Sequence, residues 1–194
     1  PIPTLLHLDH WLLSQVMSFL RLLADQPMLE VPAPALWQVA LAIPGLLWLL
    51  LPLGFPARLV GMALLLPALN IQAPRPPEGE VWLTVLDVGH GLAVAARTAS
   101  KTLLYDTGPS YGPETDAGER VVLPYLRATG VRALDTLIVT HGDSDHAGGA
   151  ASLMAALPIR RLLSSVPGWP GERCAAGQSW IWDDVRFTLL HPPE

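Results

Sequence analysis

Apolar positions dominate the first seventy-odd residues, but their spacing changes along the way. Polar groups recur at His7, His10, Ser14, Ser18, Arg21 and Asp25, three or four apart, with Leu5, Leu8, Leu12, Val16, Phe19 and Leu23 between them. That period predicts an amphipathic helix in the region 1–30, suited to a membrane surface or to packing on a larger bundle. His7 and His10 belong to its polar face. From Val31 to Ala57 there is no charge, and after Arg58 none returns until Arg75. The run ALWQVALAIPGLLWLLLPL is about long enough to span a bilayer core, and the shorter LVGMALLLPALNIQA follows it. Together they predict a transmembrane helical hairpin over 31–72, turning at GFPAR. The alternative for so apolar a run is a helix buried in a soluble core.

APRPPEGE, residues 73–80, reads as a stiff proline-rich linker and a domain boundary. Beyond it the period shortens. VWLTVLDV, LAVAART, KTLLYDTG and LDTLIVT are β-rich runs bounded by glycine, serine or aspartate. RVVLPYLRATG and AGGAASLMAAL read as helices, and PIRRLLSSV, WIWDD and VRFTLLHP as further strands. Strands in hairpins that then alternate with helices predict an α/β layered domain over 81–194.

Composition sharpens this division. The 194 residues are 51% hydrophobic, with 20 prolines, which is apolar for a soluble domain. The single cysteine, Cys174, excludes an intramolecular disulfide and a cysteine-rich zinc module. Residues 1–77 hold Arg21, Arg58 and Arg75 against Asp9, Asp25 and Glu30, so the net charge of −5 resides in residues 78–194. A broad basic footprint for nucleic acid is therefore absent. The chain begins at Pro1 and stops just after TLLHPPE, which reads as an internal piece of something longer.

The densest chemistry lies in VTHGDSDHAGG, Val139 to Gly149. His141 falls at the end of a strand, His146 at the start of a helix, and Asp143 and Asp145 stand between them. The carboxyl end of a strand is where α/β folds keep their sites. Imidazole with carboxylate suits zinc, manganese or iron. Capping of the following helix accounts for one aspartate, but not for His-x-Asp-x-Asp-His.

THGDSDHAGG resembles the His-x-His-x-Asp-His signature of the metallo-β-lactamase superfamily, with Asp143 in the second histidine position. LLYDTG resembles that superfamily's earlier strand motif. More narrowly, LTVLDVGHGLAV and VVLPYLRATGVRALDTLIVTHGDSDHAGG resemble the corresponding domain of ComEC-type competence proteins. In that family a multi-helix membrane channel precedes the domain. The resemblance implies the first half of an αββα sandwich after membrane-associated helices. It assigns His141 and Asp143 to one metal position, and Asp145 and His146 to a second, with Asp145 also near the nucleophilic water. Asp106 becomes a carboxylate orienting a ligand, or simply the turn of an Asp-x-Gly. Asp87 and His90 are either turn residues or part of the floor of the site, and His90 is alternatively an added ligand.

The implied reaction is metal-assisted hydrolysis of a phosphodiester by two divalent cations, zinc or manganese. The implied substrate is the non-imported strand in a DNA-uptake channel. The implied partners are single- or double-stranded DNA, the lipid bilayer and other competence proteins. The implied location is the bacterial inner (cytoplasmic) membrane, multi-pass in the parent protein, with the metal domain outside the cytoplasm. Arg58 in the hairpin turn agrees with that orientation. Two departures stand out: the family has glutamine where this chain has His90, and an acid where it has Leu92. The superfamily's later ligands, a bridging aspartate and distal histidines, are absent from these residues. The segment alone is thus expected to be inactive. Two other readings remain open: a non-catalytic, membrane-tethered docking domain, and a small-molecule metallo-hydrolase.

Overall fold

A computed structural model of the chain describes residues 2–24, 32–52 and 56–192. Residues 1–30 and 31–194 are separate compact units. The first contains helix α1 (Ile2–Ala24). Its Ser14 and Ser18 hydroxyls donate to the carbonyls of His10 and Ser14, one turn back, which satisfies a serine inside a helix. Asp25, the last polar position of the expected face, lies outside the described residues.

The second unit opens with α2 (Leu36–Leu50) and α3 (Arg58–Leu69), packed on each other. The two backbones meet at Gly45 and Gly61, where a Cβ on Gly45 would stand 2.9 Å from the Gly61 carbonyl oxygen. Only glycine permits so close an approach. Gln38 is buried in the pair. Its Nε2 donates to the carbonyls of Pro67 (2.8 Å) and Asn70 (3.2 Å), and its Oε1 accepts from the Ala35 N–H.

This pair corrects the transmembrane hairpin expected over 31–72. Among the described residues no helix is long and apolar enough to cross a membrane. The 15-residue α2 is about 22 Å long, whereas a bilayer core is about 30 Å thick. The apolar run continues past Leu50, but the helix does not: Leu51 is extended at the C-cap, and Pro52 follows. Val31, Leu53, Gly54 and Phe55 of the expected hairpin lie outside the described residues.

The rest of the unit is a mixed sheet with coverings on both faces. Strands β1 (Trp82–Val85), β2 (Val94–Arg97) and β3 (Thr102–Tyr105) run antiparallel in succession. A small hairpin, β4 (Ser110–Gly112) and β5 (Thr115–Asp116), follows. A π-helical turn, Gly118–Val122, then leads into α4 (Leu123–Ala128). β6 (Thr136–Val139) returns parallel to β3. Next come α5 (Ser144–Ala147), α6 (Ala150–Ala156), β7 (Leu162–Ser164) and β8 (Glu172–Arg173). The hairpin β9 (Ser179–Trp182) and β10 (Val185–Thr188) completes the chain. The main sheet has the order β1-β2-β3-β6-β7-β8.

Alternation along the central strands builds two cores. Leu104, Leu137 and Val139 join Val122, Leu126 and Leu153 in one cluster with the helices. Leu103, Ile138 and Leu163 point the other way and pack with Trp180, Trp182, Phe187 and Leu189 at the β9–β10 hairpin. The layers are thus helix, sheet, and a short second sheet. Beyond the hairpin the outer face stays open, with Leu83 67% and Val85 72% exposed.

The proline-rich segment is packed rather than free. Pro76 is buried, Arg97 Nη2 donates to the Pro74 carbonyl, and the Gly79 N–H donates to the Asp183 carbonyl. Asp183 and Asp184 both have positive φ at the β9–β10 turn, a conformation that aspartate tolerates. The Asp183 carboxylate accepts from the Thr98 hydroxyl (2.6 Å) and from the Ser100 N–H (2.7 Å) and hydroxyl. These bonds clamp the second sheet to the β2–β3 turn. They hold the Asp183 carboxyl below its ordinary range, Thr98 contributing most.

Candidate metal centre

The site stands on two neighbouring parallel strands. β3 and β6 pair in register, Tyr105 beside Ile138, so both deliver their next residues to the same sheet edge. β6 is buried along its whole length, which gives Thr140 and His141 a fixed point of departure. Beside them, Asp106 sits in the left-handed region with φ 58° and is completely buried.

That carboxylate organises the centre. It accepts from the Thr140 N–H (2.8 Å) and from the Thr140 hydroxyl (2.8 Å to Oδ2), and its Oδ2 lies 2.8 Å from Nδ1 of His146. A carboxylate only accepts, so Nδ1 of His146 carries the hydrogen and Nε2 keeps its lone pair. The Thr140 hydroxyl, its one hydrogen given to Asp106, accepts in turn from Nδ1 of His141 at 3.0 Å. The Nε2 of His141 is then also a free donor atom. One buried acid thereby sets the tautomer of both rings, whose centroids are 4.0 Å apart.

Asp145 completes the group. Its Oδ2 lies 3.5 Å from Nε2 of His146. One donor atom each from His141, Asp145 and His146 falls within a span of 4.8 Å. Two imidazoles and a carboxylate so placed fit a divalent cation of the zinc or manganese kind. Asp143 stands outside this trio. It occupies the N-cap position of α5 without a side-chain cap bond, and its carboxylate is 77% exposed, 3.5 Å from Nε2 of His141.

Main-chain hydrogen bonds fasten the loops around the centre. The Leu92 N–H donates to the Asp145 carbonyl, Gly108 to Leu92, Gly149 to Gly108, and Thr107 to His146. The approach is close enough to require glycine: a Cβ on Gly149 would meet the Thr107 carbonyl oxygen at 2.6 Å, and one on Gly91 would collide with the Asp145 carbonyl. Of the two residues considered for the floor, Asp87 is exposed and accepts from the Gly89 N–H, as a turn residue does. His90 instead lines an open cavity of about 550 Å³ with Pro109, Ser110, Tyr111, Asp143, Ser144 and Asp145.

Sequence reasoning missed Thr140, Ser110 and Tyr111. Thr140 gave a signal, since it lies beside His141 at a strand end. Ser110 and Tyr111 reach the cavity through the β4–β5 hairpin, which no apolar period marks.

Residues 86–176 match the metallo-β-lactamase superfamily and form a domain of that class. The whole chain is 37% identical to Competence protein ComA of Neisseria gonorrhoeae and covers 28% of that relative. Over 111 residues, 55% of the chain, it is 40% identical to Recombination protein 2 of Haemophilus influenzae, covering 14% of it. Over 96 residues, 44% of the chain, it is 36% identical to ComE operon protein 3 of Bacillus subtilis, covering 12% of that protein. The chain thus aligns with a segment of ComEC-type competence proteins and spans less than a third of the length of each.

Proposed function

We propose that the chain is part of a longer DNA-uptake protein whose metallo-β-lactamase domain hydrolyses phosphodiesters of the strand that is not imported. The observation that carries this reading is the convergence of His141, Asp145 and His146, with both rings oriented through the fully buried Asp106. The names of the relatives, a competence protein and a recombination protein, supply the substrate class.

His141, Asp145 and His146 would hold the cation, with Asp143 beside His141 available to a second one. A bound divalent cation supplies Lewis acidity to a phosphoryl oxygen and acidity to a water. The chain supplies the rest. Asp106 keeps the hydrogen on Nδ1 of His146, and Thr140 keeps it on Nδ1 of His141. The Asp145 carboxylate borders the open cavity and accepts a hydrogen bond from the attacking water.

The α2–α3 pair is read as membrane-associated. Leu36 is 88% exposed and Leu69 81%, and the surface between holds no acid. Lipid satisfies such a surface. The inner membrane, with the metal domain outside the cytoplasm and other competence proteins as neighbours, is the setting that fits this reading.

The test is cleavage of single-stranded DNA by the complete protein with manganese or zinc, wild type against Asp145→Asn. Metal-dependent cleavage lost in the variant is expected. A wild type that binds metal and leaves DNA intact would overturn the nuclease and favour a docking domain.

A further inference from the structure

The cavity beside the metal centre has a second wall, and His90 stands on it. Among the described residues nothing hydrogen-bonds its ring, whereas the rings of His141 and His146 are both held. Its backbone, by contrast, is fixed on both sides. Gly89 has φ 74° and is tied to the Asp87 carboxylate; Gly91 has φ 153° and packs directly on the Asp145 carbonyl. Leu92 N–H donates to that same carbonyl at 3.1 Å. An exposed, unpartnered imidazole is therefore carried on a rigid loop bonded to the residue that borders the reaction. Tyr111 closes the same cavity, its hydroxyl donating to the Val88 carbonyl at 3.0 Å while the residue as a whole is 45% exposed.

We propose that His90 is a substrate-contacting residue: its ring N–H engages a non-bridging oxygen of the phosphodiester seated at the metal centre, while the Tyr111 ring offers a face to the adjoining base. The acidic side of this cavity, Asp143 and Asp145, explains the need. A phosphodiester entering there meets two carboxylates, and among the cavity's side chains the His90 ring and the Ser144 hydroxyl remain to offer hydrogen to it, since the Tyr111 and Ser110 hydroxyls already donate to the Val88 and Gly112 carbonyls. The inference rests on the phosphodiesterase reading and adds the residue that holds the substrate rather than the cation. Hydrogen-bonded rings and aromatic faces of this kind retain single strands without reading sequence.

The experiment uses the complete protein, with manganese and, as the probe, a short single-stranded oligonucleotide of N3′→P5′ phosphoramidate linkages, which resist cleavage and keep both non-bridging oxygens. Oligonucleotide affinity and manganese content are measured for wild type, His90→Ala and His90→Gln. His90→Ala is expected to bind the oligonucleotide about 10-fold more weakly, as for a lost bond to a charged group. His90→Gln, which keeps an N–H, recovers most of the affinity, and manganese content is equal in all three. Equal oligonucleotide affinity in wild type and His90→Ala overturns the inference and leaves the phosphodiesterase reading standing. Loss of manganese in His90→Ala also overturns it, because the ring is then a metal ligand. A wild type that binds manganese but no oligonucleotide removes the phosphodiesterase reading itself, and this inference with it.

Discussion

Asp106 and His146 are forty residues apart in sequence and 2.8 Å apart at Oδ2 and Nδ1. Through Thr140 the same carboxylate governs His141. Asp106→Asn separates charge from backbone, since asparagine also tolerates φ 58°. The variant should fold and bind manganese or zinc about 10- to 100-fold more weakly, as measured by metal titration. Thr140→Val, which loses only the hydroxyl bridge, should fall between it and wild type, with Thr140→Ser restored. Unchanged affinity in Asp106→Asn would mean that the buried acid serves the turn alone.

Gly149 is a glycine for space and not for conformation, because its φ of −91° is open to any residue. A methyl group there meets the Thr107 carbonyl oxygen and the Gly118 backbone. Gly149→Ala should destabilise the domain by about 1–3 kcal/mol through overpacking. It should also reduce metal binding, because the displaced chain carries His146. Thermal unfolding and metal titration of the same preparation check both. Gly112→Ala, where the φ is not left-handed and a Cβ would only touch Thr115 at 3.9 Å, is the control for general backbone effects.

The Asp183 clamp makes a pH-dependent contribution of definite sign. Its carboxyl is held below the ordinary range by Thr98 and then Ser100. The contribution is complete above the unfolded value, about 4, and is lost as pH falls through the lower folded value. Asp183→Asn keeps the turn and loses the charge. Wild type should therefore melt above the variant at pH 7, and the gap should narrow as the pH is taken below about 4. A gap that is the same at pH 7 and pH 3 would rule out the charged clamp.

Much of this architecture was legible because its signals are local. The runs TLLY and TLIV declare β3 and β6 by themselves, and the ligand types between Val139 and Gly149 declare a site at a strand end. What stayed hidden depends on register. That Asp106 reaches both histidines follows from Tyr105 pairing with Ile138, a fact of the folded sheet alone. The β4–β5 hairpin lacks apolar alternation, being built by turn residues, so Tyr111 gave no sign of reaching the cavity. The apolar run before the linker revealed helices but not where they stop. Charge-free length sums over α2 and the segment after Leu51, while the backbone breaks between them.

Beside the side-chain bonds of Asp106, Thr107 and Tyr111, four amide-to-carbonyl bonds from Leu92, Thr107, Gly108 and Gly149 hold the site loops together through the main chain alone. Such a framework is indifferent to most of the side chains it carries. An aspartate at position 143, a histidine at 90 or a leucine at 92 leaves every one of those bonds in place. Chemistry at this sheet edge is thereby free to drift by single substitutions, exchanging one donor for another while the scaffold stays still.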